Sequence, residues 1–239
     1  QLLRARQDHW KIGAGMACAG ALAGLAAYAY HTGRMAPLML AVLTALRLGR
    51  DWRAWRAALP ALAAAALVGL LTLLPMLRFI VEDFAGYNRR TNAVAIANSE
   101  SLEQHALLPL LWHVGGDRNG RHRAPDAPML DPLAGTLLAL GAGLALARRR
   151  PGAAIPLIWM GIALIPGVFS TDAPHAMRSL GALAPACMLA GVGVDAIYRV
   201  MRHSATSRWS PIVVGGLLGA SLAFNAALYF GVMPRDPAV

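Results

Sequence analysis

The stretch AALPALAAAALVGLLTLLPML, residues 57–77, decides the fold. It carries no charge, and Thr72 is its one hydroxyl. An apolar run of about 20 residues is long enough to cross a bilayer as a helix. In lipid every backbone polar group must be satisfied within the segment, so such a run is helical rather than extended. It is bounded by Arg50-Asp-Trp-Arg-Ala-Trp-Arg56 on one side and by Arg78, Glu82 and Asp83 on the other.

Working outward, six further blocks share this form: residues 12–30, 35–48, 131–147, 152–170, 179–198 and 211–230. Block 35–48 is short for a span unless Arg34 and Arg47 snorkel outward or the segment is re-entrant. The expected fold is therefore all-α and polytopic: a single transmembrane domain over 1–239 with about seven transmembrane helices. Residues 78–130 form one long extracytoplasmic loop. Within it, residues 102–114 are apolar, tipped by Trp112 and too short to span, which reads as an interfacial helix. A Gly/Pro/Arg-rich stretch, 115–128, then leads to Asp131-Pro132, a pair suited to N-cap and first helical position. The small-residue faces Gly20-Ala-Leu-Ala-Gly24 and Gly215-Gly-Leu-Leu-Gly219 favour close helix contact. Asn225, an amide inside the last block, is expected to make an interhelical hydrogen bond.

Composition agrees. The chain is 57% hydrophobic and 14% charged, with mean hydropathy +0.49. The net charge of +10 reads as membrane topology and contact with anionic membrane lipids. Nucleic acid is excluded as a partner, because the basic residues gather on no single amphipathic element and are not interleaved with aromatics. Cys18 and Cys187 fall inside apolar blocks and read as small buried hydrophobes rather than a disulfide or metal pair. The chain opens on Gln1 rather than Met, which suggests part of a longer chain.

The basic residues alternate between seams. With the N-terminus inside, thirteen of the 22 lie in cytoplasmic seams: Arg4, Arg6 and Lys11; Arg47, Arg50, Arg53 and Arg56; Arg148 to Arg150; Arg199, Arg202 and Arg208. Three (Arg34, Arg178 and Arg235) lie in short outer seams. Six lie in the long loop, which translocates largely regardless of charge.

Arg34 and Arg178 are thus cations held against the bias, which makes each a candidate anion site. At that depth the natural anion is a lipid phosphate. Arg suits it because its planar fork binds phosphate oxygens in pairs. His175 stands three residues before Arg178, so a helical turn places both on one face, beside a helix start where free N–H groups also favour an anion. His31 stands three residues before Arg34 in the same way. Simple snorkelling and aromatic anchoring beside Tyr28 and Tyr30 are the competing readings. In the long loop, Asp117, Asn119, Arg121 and His122 are candidates for contact with sugar hydroxyls or a phosphate. The partial Asp-x-Asn-Gly pattern fails as a calcium loop after Gly120, so no metal site and no cofactor is expected. Glu82 and Asp83 read as a solvated pair at a helix end, with general-base work as the alternative.

Three stretches resemble bacterial polytopic glycosyltransferases of family 39, the protein-mannosyltransferase-like branch of the GT-C superfamily. They are Tyr28-Ala-Tyr-His-Thr-Gly-Arg-Met-Ala-Pro37, Gly116-Asp-Arg-Asn-Gly-Arg-His…Leu-Asp-Pro132 and Asp172-Ala-Pro-His-Ala-Met-Arg…Ala-Pro185. They are similar to that family's motifs in order and in topological side. The resemblance covers the later part of the family's architecture. It implies a polyprenyl-phosphate-linked sugar as donor, an acceptor protein or glycolipid, and a catalytic carboxylate in the first extracytoplasmic loop. The first outer seam here, 31–34, has no acid, so the resemblance places the catalytic base upstream of Gln1. It also implies residence in the bacterial inner membrane. The rival readings are a transporter or flippase for a lipid-linked glycan, which predicts midplane charges and inverted repeats, and a non-catalytic membrane scaffold.

Overall fold

The computed structural model describes residues 2–29, 31–93, 127–148, 151–169, 175–204 and 207–235. Among these the chain is all-helical, with no strand. The single domain expected from the sequence is subdivided into two compact units, Gln1–Ala93 and Val94–Val239.

The first unit contains α1 (Leu2–Ala29), α2 (Ala36–Leu48), α3 (Trp52–Glu82) and α4 (Phe84–Ala93). α1 and α3 run parallel. Gly20 faces Ala65, Gly24 faces Gly69 and Thr72, and Tyr28 reaches Thr72 and Met76. A methyl group at Gly20 would overlap the Ala65 carbonyl, so the backbones touch there, as the Gly20–Gly24 spacing predicts. α2 returns alongside α1. Its entry is a tight 3₁₀ turn, His31–Met35, in which Gly33 abuts the Ala26 carbonyl with no room for a side chain.

α3 is longer than the sequence block at both ends. Asp51 caps it by accepting from the Arg53 backbone N–H at 2.9 Å, and Pro60 and Pro75 lie inside it. Pro75 has no N–H, and its ring pushes against the preceding turn. The Tyr28 hydroxyl repairs that turn, donating to the Thr72 carbonyl at 2.9 Å and accepting from the Met76 N–H at 3.3 Å. Such rescue by a neighbouring helix lets proline persist in an apolar helix. Tyr28→Phe removes both bonds, and the expected loss is about 1–2 kcal/mol, read as a lowered unfolding midpoint in detergent. An unchanged midpoint would show the ladder repairs itself.

The second unit contains α5 (Pro132–Arg148), α6 (Pro151–Val168), α7 (Ala176–Arg202) and α8 (Ser207–Arg235). Asp131 caps α5 and Pro132 is its first residue, as the sequence indicates; the carboxylate accepts from the backbone N–H of Leu133 at 3.0 Å and of Ala134 at 2.9 Å. α7 tightens to a 3₁₀ turn over Leu180–Ala182, where Pro185 withholds the N–H that the Gly181 carbonyl would take. The core of the unit is Ala163, Ala182 and Ala186, with Met129, Leu130 and Leu138 packed on it. Gly167 faces the Ser179 hydroxyl. The start of α5, the end of α6 and the start of α7 therefore meet at one end, an up-and-down arrangement.

Four helical segments are long and apolar enough to cross a membrane: Ile12–Ala29, Trp52–Glu82, Ala176–Arg202 and Ser207–Arg235. Their faces suit lipid. Leu67, Leu70, Leu71 and Leu74 of α3 are each more than half exposed, and the most apolar stretch of α8 has no buried residue. Apolar exposure on this scale marks a membrane or partner surface. α2 spans 13 residues, roughly 20 Å, well short of the hydrocarbon core. Helices Pro132–Arg148 and Gly152–Val168 are apolar but shorter than the four.

α3 runs past residue 77 to Glu82 and α4 follows, started by Asp83, whose carboxylate accepts from the Gly86 N–H at 2.8 Å. Two expectations are corrected. Gly215, Gly216 and Gly219 make no close helix contact among the described residues, for a Cβ at each would meet nothing within 4 Å. Cys18 and Cys187 are free and exposed on outward helix faces rather than buried.

Candidate functional site

In the second unit, two of the motif segments converge. Met129 and Leu130, leading into Asp131-Pro132, pack on the core cluster of Ala163, Ala182 and Ala186, the last two of which belong to the segment 175–186. His175 is extended (φ −128°, ψ 116°) and stands before the first helical residue of α7. Its carbonyl accepts from the backbone N–H groups of Arg178 and Ser179, both at 3.1 Å, and from the Ser179 hydroxyl at 3.0 Å. Arg178 thus lies inside the first turn of α7 rather than one residue ahead of it. It is 6% exposed. A snorkelling arginine keeps its guanidinium in water, so burial removes that reading for Arg178.

The same unit holds a polar cluster that the sequence did not reveal as a unit. Asp131 is 3% exposed. Its second oxygen accepts from the Ser221 hydroxyl at 2.7 Å and from the Asn225 amide at 2.8 Å. Asn225 also donates to the Ser221 carbonyl at 2.9 Å. With the two N–H groups of α5, the carboxylate has four donors. A buried carboxylate is tolerable when satisfied in this way. Asn225 makes the interhelical bond its position predicts, and its acceptor is the helix cap of α5. The cluster is structural: every lone pair in reach is occupied by a fixed donor, leaving nothing for proton transfer.

In the first unit, Arg34 ends the 3₁₀ turn that His31 begins. Its guanidinium carbon lies 4.3 Å from the ring centroid of Tyr87 in α4. Its Nε is buried and has no hydrogen-bond partner among the described residues. The ring holds the cation in place while its hydrogen-bonding capacity is unspent, the preparation an anion site needs. Sequence reasoning missed Tyr87, since nothing local links positions 53 residues apart. Glu82 and Asp83 have local duties. Glu82 pairs with Arg78 at 2.7 Å, both exposed, and Asp83 caps α4.

Asp117, Asn119, Arg121 and His122, with the interfacial helix expected over 102–114, lie outside the described residues. No protein-family model, curated protein or solved structure matches this chain.

Proposed function

We propose that the chain is the later part of a polytopic membrane glycosyltransferase of the family 39 type, and that it docks the lipid and phosphate of a polyprenyl-phosphate-linked sugar. The observation that carries this reading is the burial of Arg178 in the first turn of α7, in the unit where Met129 and Leu130 pack on the core of Ala163, Ala182 and Ala186. Arg34, poised on Tyr87 with an unsatisfied Nε, supports it.

In this reading the acceptor hydroxyl attacks the anomeric carbon. Its proton passes to a carboxylate supplied from before Gln1, and the bond to the carrier phosphate breaks. The leaving phosphate gains negative charge as that bond breaks, so a fixed guanidinium stabilises the transition state more than the ground state. In this reading His175 assists Arg178, His31 assists Arg34, and the loop residues Asp117, Asn119, Arg121 and His122 are further binding residues.

The chain is read as a multi-pass protein of the bacterial inner membrane. The seams at Arg47–Arg56, at Arg148–Arg150 and at Arg199–Arg208 face the cytoplasm. α5 and α6, at roughly 26 Å each, cross with local thinning of the bilayer. α2 reaches part of the way, with Arg47 snorkelling.

Binding of polyprenyl phosphate to the full-length protein in nanodiscs tests the reading. Arg178→Ala and Arg34→Ala are each expected to weaken it roughly tenfold or more, the loss of a charge-assisted contact. Wild-type affinity in a folded Arg178→Ala variant would refute the role of Arg178. Movement of a lipid-linked glycan between leaflets with no sugar transfer would favour the flippase instead.

A further inference from the structure

The first unit has a second feature, at the end of α2 opposite Arg34. A cavity of about 770 Å³ lies between α1, α2 and α3, lined by Gly13, Met16, Leu43, Ala58 and Ala61, and Arg47 is its one charged lining residue. A second cavity of about 470 Å³ reaches toward Gly24 and Leu73 and shares Met16, Thr44 and Leu62 with the first. Together they make an apolar groove along the helices that ends at the turn between α2 and α3.

That turn is firmly built. Gly49 takes φ 59°, a conformation that favours glycine. Its N–H closes α2 on the Ala45 carbonyl at 2.8 Å, and its carbonyl accepts from the Trp55 indole N–H at 3.0 Å. Asp51 is engaged with the Arg53 backbone N–H. Arg47, Arg50, Arg53 and Arg56 all stand exposed around the turn. Among the described residues none of the four is paired with an acid.

We infer that this groove binds an acyl chain of an acidic membrane phospholipid, with the lipid phosphate held at Arg47 and the arginines of the turn. Charge complementarity selects the headgroup: four exposed cations, none paired with an acid among the described residues, at the mouth of an otherwise uncharged groove call for an anion with an apolar tail. Length agrees, because the 13 residues of α2 cover roughly 20 Å, the depth of one leaflet rather than of the whole bilayer. Binding places one lipid in the groove that the short α2 leaves along the packed α1–α3 pair. The inference is independent of the glycosyl-transfer reading, which concerns the opposite helix ends.

Native mass spectrometry of the protein, released from micelles containing phosphatidylglycerol or phosphatidylcholine, tests it. The wild type is expected to retain phosphatidylglycerol preferentially. Arg47→Gln is expected to lower that retention roughly fivefold, toward the phosphatidylcholine level. Gly13→Leu keeps every charge but projects into the groove; a Cβ there meets nothing within 4 Å, so the backbone need not move. It is expected to lower retention of both lipids, with circular dichroism unchanged. Equal retention of the two lipids by the wild type would overturn the inference, as would unaltered retention in Arg47→Gln. Full phosphatidylglycerol retention in Gly13→Leu would also overturn it, since headgroup attraction alone would then suffice and a protein helix, not lipid, would be free to fill the groove.

Discussion

Asp131→Ala is expected to lower the unfolding midpoint of the solubilised protein by about 10 °C. Two losses combine. Removing an N-cap costs about 1 kcal/mol. The Ser221 hydroxyl and the Asn225 amide then lose their shared acceptor in a site where Asp131 itself is only 3% exposed, at about 1–3 kcal/mol for a stranded buried donor. For a chain of this size each kcal/mol moves the midpoint by about 2–4 °C. Asp131→Asn separates the two contributions. It keeps a good cap but turns one oxygen into an N–H₂ group facing two donors, so most of the loss should remain. Adding Ser221→Ala and Asn225→Leu to Asp131→Ala should recover part of it, because no donor is then left stranded. If Asp131→Ala and the triple variant unfold at the same temperature, the cluster does not hold α8 to α5.

This cluster also marks how far the sequence could be read. Asp131 before Pro132 is a local signal, because capping needs only the next three residues, and it was legible. Asn225 inside an apolar block was legible as a bond in search of a partner, since an amide in lipid must find one. That the partner is Asp131, with Ser221 as the third member, depends on how α8 lies against α5, and no local pattern encodes it. Arg34 is similar. Its conflict with the charge bias was visible, whereas Tyr87, which holds it, lies in α4, a stretch that reads as loop because its sequence FAGYNRRTNA is polar overall. Arg178 was legible as an outlying cation. Its burial was not, because the helix was expected to begin at Ser179, and three additional residues carry the arginine from the rim into the first turn. Span counting is hardest where length and hydropathy conflict. α2 is as apolar as a span, yet Gly49 and the cap at Asp51 stop it at 13 residues.

Glycine substitutions give the sharpest contrast, because identical spacings have opposite surroundings. Gly141 of α5 lies so close to the Leu189 carbonyl of α7 that a Cβ would overlap it, and Gly193 abuts the Leu137 carbonyl in the same way. The obstacle in both is backbone, which cannot rotate aside, so Gly141→Val must separate the two helices. That places it among the rare substitutions costing more than about 4 kcal/mol, and the variant is expected to elute as aggregate or lose its cooperative unfolding transition. Gly20→Val should behave likewise against Ala65. Gly215→Val and Gly219→Val place the same side chain in open space on α8 and are expected to leave the midpoint within about 1 °C, well under the shift that 1 kcal/mol produces. The sequence motif is stronger at 215–219 than at Gly141, where no glycine or alanine stands four residues on either side except Ala145. The outcome therefore discriminates motif from contact. If Gly219→Val proves as disruptive as Gly141→Val, α8 packs on a surface by its glycine face. If Gly141→Val is silent, α5 and α7 do not meet backbone to backbone.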